Sequence, residues 1–460
     1  MSTTINSTKL SFKEKVGYSS GDLASRFVWD MVNFWMVFFY TDIFGISPLI
    51  AGAIVAVGSI WDAVVDPIVG IISDRTNTRW GKFRPYLLFG SVPLAIILVL
   101  AFTTPAFTPT AMIIYASVTA LLLRTVYAFV NLPYSSLSAV MTPDTAERTG
   151  LNTYRFIAAN MGQLIVSGAA LYMVAFFGKW GNAEGVVNQA QGIQYTVMLF
   201  AALSIVFFYI TFKTTKERIQ PSKEQDTSVK KDIKYLFKNK PWIVLTIVSL
   251  ISFIMFAMQN SATVFYFKYY IGNAESVQLF NILGTLAIIA ALPMSKPLAK
   301  RFGNKNVFIA SSILSGIFFT LIFAAGNNVI LVNTFNVLAK VAYAPAIPLL
   351  WTMIADAADF GEWKLGRRTT GLCFSAAVFA QKVGWAIGAA AGTWVLAATN
   401  YVADAPAQTP EAIIGMRLLV SAIPGVLYAS CAVFMAFYTL DVKTTDQMKI
   451  DLDAKRAEEN

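Results

Sequence analysis

Apolar stretches of about twenty residues, separated by short polar turns, run along almost the whole chain. A helix needs about 20 apolar residues to cross a hydrocarbon layer of about 30 Å. The pattern therefore predicts membrane-spanning helices rather than a soluble core. We predict twelve spans, near residues 20–44, 49–73, 85–105, 110–138, 150–177, 192–213, 241–270, 277–297, 306–325, 327–354, 370–398 and 412–440.

One long polar connection, KTTKERIQPSKEQDTSVKKDIKYLFKNK, separates the first six spans from the last six. The prediction is an all-α polytopic membrane protein with two six-helix bundles, 1–213 and 241–440, a basic linker, 214–240, and a tail, 441–460. The turns MTPDTAERTGL and IADAADFGEWKLGRRTTGL are similar, and prolines in VNLPYSS and YAPAIPLLW predict that spans four and ten are interrupted alike. Paired broken helices in two halves are typical of transporters with a central site.

Charge then orients the spans. Lys and Arg concentrate in the N-terminus, the tail and alternate connections, which hold 28 of the 36 basic residues, while the opposite side holds only Lys179 and Lys268. We predict that the protein lies in the inner membrane of the cell, and the positive-inside rule places both of its termini in the cytoplasm. Topology accounts for the net charge of +10, so no nucleic-acid partner is expected. The polar N-terminus does not have the form of a signal peptide.

Composition narrows the chemistry. Only 13% of residues are charged, against about 25% in soluble domains. Histidine is absent, which excludes a His-ligated metal or a Ser-His-Asp triad. We therefore expect neither an enzyme, a catalytic residue, a metal site nor a cofactor, and we expect a monomer in the lipid bilayer. Cys373 and Cys431 fall in apolar helices and are expected to be buried thiols.

Ten ionisable residues lie within the predicted spans, where a charge costs about 2.5–3.5 kcal/mol or more. Such residues face a partner or a water-filled cavity, so the set predicts a polar interior. The ten are Asp22, Asp30, Asp62, Asp66, Arg26, Arg124, Arg155, Lys340, Lys382 and Arg417.

Asp62 and Asp66, in SIWDAVVDPIVG, are four residues apart and share one helix face, with Cβ atoms about 5–6 Å apart. Two close carboxylates in a low dielectric do not both stay charged unaided. A proton, a cation or a permanent countercharge would relieve them, and Lys382 is the candidate countercharge. The functional interpretation is exchangeable ion coupling; the alternative is a fixed salt bridge among the three.

Substrate candidates are more numerous. Arg26 lies between Asp22 and Asp30 on one helix face, either as a self-neutralising ladder or as a fork for a substrate carboxylate. Arg124, Arg155 and Lys340 are alternatives for that role. Trp faces suit sugar rings and amides suit hydroxyls, although helix packing is the commoner use of both. The proposed substrate residues are Arg26, Asp30, Asn131, Arg155, Trp351, Gln381 and Trp385.

Several motifs together resemble the glycoside–pentoside–hexuronide:cation symporters, the family of the melibiose permease within the major facilitator superfamily. They are GYSSGD, FFYTDIFGIS, WDAVVDP, DRTNTRWGKFRPYLLFG, VNLPYSSL and ADFGEWKLGRRTTG. The resemblance covers about residues 10–440. It implies a twelve-helix, two-bundle fold that moves sugars with H⁺, Na⁺ or Li⁺ by alternating access. It places the cation site at Asp62, Asp66 and Lys382, and it matches a family arginine to Arg155.

Departures from the family pattern refine this expectation. Val65 and Ala128 stand where sodium-using members carry side-chain oxygens, which favours a proton, with Na⁺ as the alternative. Arg26 and Asn131 stand where galactoside-binding members carry aspartates, which favours a hexuronide first and a pentoside second. A lipid or lysolipid transporter is the other alternative. Salt bridges of a cytoplasmic gate are expected among Arg75, Arg79, Arg84, Asp356, Asp359, Glu362, Arg367 and Arg368.

Overall fold

The structure is a computed structural model that describes residues 9–181, 188–219, 234–273, 276–367, 369–402 and 407–458. Helices are the only extended regular elements in these ranges. Six helices form the first series. They are α1 (Phe12–Phe38), α2 (Pro48–Arg75), α3 (Arg84–Ala101), α4 (Pro109–Met141), α5 (Thr145–Lys179) and α6 (Gln189–Thr214).

The second series contains shorter helices because several of its spans are broken. Its members are α7 (Lys240–Phe265), α8 (Ser276–Ala291), α9 (Ser295–Phe302), α10 (Asn304–Ala324), α11 (Val329–Tyr343), α12 (Ala346–Leu365), α13 (Thr370–Ala398), α14 (Pro410–Val420), α15 (Ala422–Ala436) and α16 (Val442–Glu458).

Within the described ranges, ten helices or continuous helix pairs are long and apolar enough to cross a membrane. The bent α5 is an eleventh candidate. Helix α1 has the length of a span, but Arg26 and Asp30 make its central part more polar. These segments lie where the hydrophobic pattern predicts its twelve spans.

Short-range signals fix where several helices begin and end. The Ser11 side chain accepts a hydrogen bond from the Glu14 amide, and the Glu14 carboxylate accepts one from the Ser11 amide. This capping box starts α1 at Phe12, ahead of the predicted start near residue 20. Helix α12 continues to Leu365, beyond the predicted end near 354, and stops at Gly366, whose φ of +68° is left-handed.

The prediction that spans four and ten are interrupted alike is wrong for span four. Helix α4 runs unbroken through Pro133, whereas the tenth span divides into α11 and α12 at Ala344 and Pro345. One proline removes one backbone donor. The tenth span has two prolines, Pro345 and Pro348, and therefore loses two donors within one turn.

The chain divides into two compact units. The first comprises Met1–Pro221 with Thr370–Ser375, and in it α1 packs against α5 and α6 while α2 and α3 pack against α4. The second comprises Ser222–Thr369 with Ala376–Asn460, and in it α10 packs against α11 and α15, α7 against α15, and α8 against α11.

Candidate functional site

A buried ion pair joins α2 to α4 in the first unit. Arg124 Nη1 donates to Asp62 Oδ2 at 2.5 Å, and both side chains are almost fully buried. The guanidinium carbon lies 5.5 Å from the centre of the Trp29 ring, which stacks on Tyr127 at 4.7 Å. The Arg124 guanidinium is thus held by a carboxylate at Nη1 and by an aromatic ring near Cζ.

A glycine makes room for this arginine. A methyl group added at Gly58, one turn before Asp62, would lie 2.4 Å from Arg124 Nε. Asp66, one turn after Asp62, is only 1% exposed. Val65 and Ala128 are also buried, and their side chains contain no oxygen. Arg124 therefore balances the charge of one member of the aspartate pair, a partner that the sequence did not single out for Asp62.

A second buried ion pair joins α1 to α5. Arg155 Nε donates to Asp22 Oδ2 at 2.5 Å, and Arg155 Nη2 donates to Ser135 Oγ at 3.1 Å. The guanidinium carbon lies 5.1 Å from the centre of the Tyr134 ring. Tyr134 stacks on Tyr18, and each hydroxyl donates to the backbone carbonyl of the other residue. This network holds Arg155 in one orientation.

Arg26 lies in a more open environment than Arg124 and Arg155, the cations of the two buried ion pairs. Its side chain is 36% exposed, while Asp30, whose carboxylate accepts from it at 3.3 Å, is 2% exposed. Asn131 Nδ2 donates to Ser25 Oγ at 3.2 Å, next to Arg26 in sequence. The guanidinium therefore has one carboxylate neighbour and retains accessible donors, as binding an anionic ligand requires.

The candidate residues of the second unit lie on α12 and α13. Trp351 and Gln381 are buried, and Gln381 Nε2 has no hydrogen-bond partner within the described part of the chain. Trp385 is 46% exposed, and its ring lies 6.4 Å from that of Phe256. Lys382 is partly buried on α13. The pairing of Lys382 with the two aspartates stays a prediction.

The basic residues expected in a gate have varied environments. Arg84 donates to the carbonyl groups of Trp80 and Phe212 at 3.1 and 2.7 Å, and Arg79 covers the Trp80 ring. Arg75 lies in the last turn of α2. In the second unit Asp356, Asp359, Glu362 and Arg367 are buried at the end of α12 and just after it. Arg368 lies outside the described residues, and the gate salt bridges remain predictions.

Three polar residues near these positions were missed by the sequence analysis. Asp74 pairs with Lys82 at 2.7 Å and accepts the amides of Gly371 and Leu372, which belong to the same unit. Glu217 accepts three consecutive backbone amides at the start of α3. Arg148 is fully buried and donates to carbonyls at the end of α4. The run DRTNTRWGKFRP signalled the first of these, but nothing local marked Glu217.

Curated relatives match almost the full chain. A putative glycoside/cation symporter, YagG, of Escherichia coli (strain K12) is 36% identical over 98% of this chain and 96% of its own length. The isoprimeverose transporter of Lactiplantibacillus pentosus is 33% identical over 100% and 95%. A glucuronide carrier protein homolog of Escherichia coli (strain K12) is 29% identical over 97% of each.

Solved structures share the fold at low identity. The outward conformation of the major facilitator superfamily transporter FucP has a TM-score of 0.66 at 12% identity, covering 92% of this chain and 98% of that one. The proton:xylose symporter XylE has a TM-score of 0.64 at 13% identity, covering 94% and 96%. The chain therefore has the all-α major facilitator fold, as its sequence predicts.

A family model described as MFS/sugar transport protein matches residues 17–442. The match includes both ion pairs of the first unit and the candidate residues of α12 and α13. The chain is therefore a multi-pass membrane transporter and not an enzyme. Its predicted resemblance to the sugar symporters is confirmed. The chain belongs to the MFS/sugar transport protein family.

Proposed function

We propose that the chain is a proton-coupled symporter that imports an acidic glycoside, a hexuronide, across the inner membrane, with both termini in the cytoplasm. Its relatives support the coarser statement of cation-coupled sugar transport, since they include a putative glycoside/cation symporter and a glucuronide carrier homolog. The observation that carries the acidic substrate is the accessible Arg26 side chain, which is 36% exposed and follows Ser25, the hydrogen-bond partner of Asn131.

The preference for an acidic sugar follows from charge. An arginine presents a planar fork of donors that matches a carboxylate. Asp30 satisfies one donor of Arg26 at 3.3 Å, which leaves others for a ligand. A galactoside site built on aspartates would instead present acceptors. The remaining substrate contacts that we propose are Asp30, Asn131, Arg155, Trp351, Gln381 and Trp385.

The preference for a proton follows from the surroundings of Asp62 and Asp66. A sodium ion needs several oxygen ligands, and Arg124 already occupies one oxygen of Asp62 at 2.5 Å. Val65 and Ala128 provide none. A proton needs one carboxylate oxygen, and Asp66, buried on the next helical turn, meets that need. Proton binding to this pair lowers its negative charge, and with Lys382 as a movable countercharge it would couple ion occupancy to rearrangement.

The test is medium alkalinisation in energy-depleted, sodium-free cells that express the protein. A phenyl glucuronide, a phenyl xyloside and a phenyl galactoside are added separately, with Asp66→Asn as the control. We expect alkalinisation with the glucuronide, and none in the variant. Alkalinisation with the xyloside alone would overturn the hexuronide proposal in favour of a pentoside. Sugar uptake only after Na⁺ is restored would overturn proton coupling, and silence under both conditions would favour a lipid substrate.

A further inference from the structure

The surroundings of Arg124 have a counterpart in the second half of the sequence. GSIWDAVVDP begins at Gly58, and GTLAIIAALP begins at Gly284 with its proline at the same spacing. RTVYA begins at Arg124, and KVAYA begins at Lys340. Trp29 and Phe256 each precede, by sixteen residues, a glycine with left-handed φ, Gly45 and Gly272. Aligned in this way, Lys340 corresponds to Arg124, Gly284 to Gly58, Tyr343 to Tyr127 and Phe256 to Trp29.

The structure repeats the contacts as well as the residues. Lys340 Nζ lies 4.6 Å from the centre of the Phe256 ring, as Arg124 lies over Trp29. The Phe256 ring lies 6.3 Å from that of Tyr343, as Trp29 stacks on Tyr127. A methyl group added at Gly284 would lie 3.1 Å from Asn336 Nδ2 and 3.5 Å from Lys340 Cγ, so this glycine also faces the cation, although less closely than Gly58 faces Arg124. We call the group formed by Lys340, Phe256, Tyr343 and Gly284 the Lys340 cage.

The two groups differ in one decisive residue. The position of Asp62 is taken by Ile288 in the second half. Among the residues that the structure describes, no carboxylate forms an ion pair with Lys340. Its Nζ lies over the rings of Phe256 and Phe319, 4.6 and 5.3 Å from their centres. Lys340 is only 9% exposed. A buried cation whose carboxylate is absent is strongly disfavoured unless another anion balances it.

Local features compensate for this charge only in part. Lys340 lies in the last turn of α11, where the helix dipole presents about half a negative charge that is effective within one turn. The two aromatic faces add a weak attraction. Neither supplies the full negative charge that Asp62 gives Arg124. When Lys340 is protonated, the cage therefore carries a net positive charge inside a membrane-spanning unit, and a bound anion would stabilise that form.

Unused donors and an exposed ring extend the cage. Tyr428 packs against Tyr343 at 5.1 Å between ring centres, and its buried hydroxyl has no hydrogen-bond partner in the described ranges. On the other side, Phe256 contacts the exposed Trp385 at 6.4 Å. An ammonium group only donates, whereas a phenol hydroxyl can either donate or accept, so an acceptor ligand would satisfy both groups. Of the residues that contact the cage in this way, Trp385 is the exposed one.

We propose that the Lys340 cage is an anion-binding site, which accepts a free halide in the role that Asp62 has in the first half. The carboxylate of the transported glycoside, which the proposed function assigns to Arg26, has the same chemistry and is the other source of the anion; in that form the proposal rests on the proposed function. The two halves then divide the charges: the first holds a carboxylate pair for a cation, and the second holds a cation for an anion.

Thermal unfolding of the purified full chain in detergent tests binding without requiring transport. The probes are phenyl glucuronide, phenyl glucoside and chloride exchanged for a bulky organic anion. Lys340→Met removes the cation, and Ile288→Asp supplies an internal carboxylate, with Ile288→Asn as its matched neutral control. We expect chloride to stabilise the wild type, with affinity lowered about tenfold or more in Lys340→Met and Ile288→Asp and little changed in Ile288→Asn. Glucuronide affinity lowered in the same two variants would support the cage with the sugar carboxylate as its ligand, in place of Arg26.

Each outcome decides the proposal. Stabilisation of the wild type by chloride, lost in Lys340→Met and Ile288→Asp, would support the site with a free halide as its ligand. Equal glucuronide affinity in the wild type and Lys340→Met, without any chloride effect, would overturn it. Binding that fails here while glucuronide-driven alkalinisation persists would reject the cage alone, and the reverse result would reject only the proton-coupled transport.

Discussion

The guanidinium of Arg124 lies 2.5 Å from the carboxylate of Asp62 in a part of the chain where both are buried. Removal of one partner leaves an uncompensated charge, which typically costs about 3–5 kcal/mol. We therefore expect Asp62→Asn and Arg124→Gln each to lower thermal stability strongly in detergent. The double variant should recover most of the loss, because it removes both charges. Losses that simply add would show that the pair is not coupled.

Two corresponding glycines provide a matched comparison. A methyl group at Gly58 would lie 2.4 Å from Arg124 Nε, whereas one at Gly284 would lie 3.1 Å from Asn336 Nδ2 and 3.5 Å from Lys340 Cγ. Gly58→Ala should displace Arg124 and lower the melting temperature. Gly284→Ala should be neutral or slightly stabilising, since alanine in a helix is favoured by about 0.5–1 kcal/mol. Equal melting temperatures would contradict the close approach at Gly58.

Arg26 should distinguish acidic from neutral sugars. Loss of a hydrogen-bonded charge contact costs about 1.5–3 kcal/mol, so Arg26→Gln should weaken binding of a glucuronide about tenfold or more. A matched glucoside should lose much less affinity. Arg26→Lys, which keeps the charge but not the planar fork, serves as the control and should lie between the two. Equal losses of affinity for both sugars, measured by isothermal titration, would show that Arg26 does not bind the carboxylate of the glucuronide.

Glu217 should stabilise the folded protein as a helix cap does, because it accepts backbone amides at the start of α3. Its two oxygens accept the amides of Lys82, Phe83 and Arg84 at 2.7, 2.8 and 3.0 Å. Glu217→Gln replaces one acceptor oxygen by a donor that faces backbone donors, and we expect a loss of about 1–3 kcal/mol. The neighbouring Lys216→Gln, at an exposed position, is the control. A melting temperature unchanged in both variants would show that water replaces the carboxylate.

The fold was predictable because membrane helices leave a strong local pattern. Apolar length alone places the spans, and the capping box at Ser11 and Glu14 is readable three residues apart. Asp62 and Asp66 were recognisable because a charge in lipid is rare. Their relation to Arg124 was not, since it joins residues on α2 and α4 that the sequence separates widely, and nothing in the pattern shows which cation an acid will meet.

Helix breaks were the weaker part of the prediction. Pro133 and Pro345 look equivalent in sequence, but the first is accommodated within α4 while the second ends a helix. The outcome depends on how neighbouring helices support the backbone groups that proline frees, which a local pattern does not contain. Glu217 escaped notice for a similar reason, because its three partners lie on a distant turn.

The difference between an unbroken α4 and a divided tenth span has a mechanical consequence. Arg124 and Asn131 lie on the same unbroken helix α4, which ends at Met141. A tilt of α4 at the Arg124–Asp62 ion pair would therefore also move Asn131 and Met141. In the second half Lys340 lies on α11, and Trp351 lies on α12 beyond the break at Ala344 and Pro345. At that break the prolines at 345 and 348 cannot donate backbone hydrogen bonds, so α11 and α12 are held together less firmly than the two ends of α4.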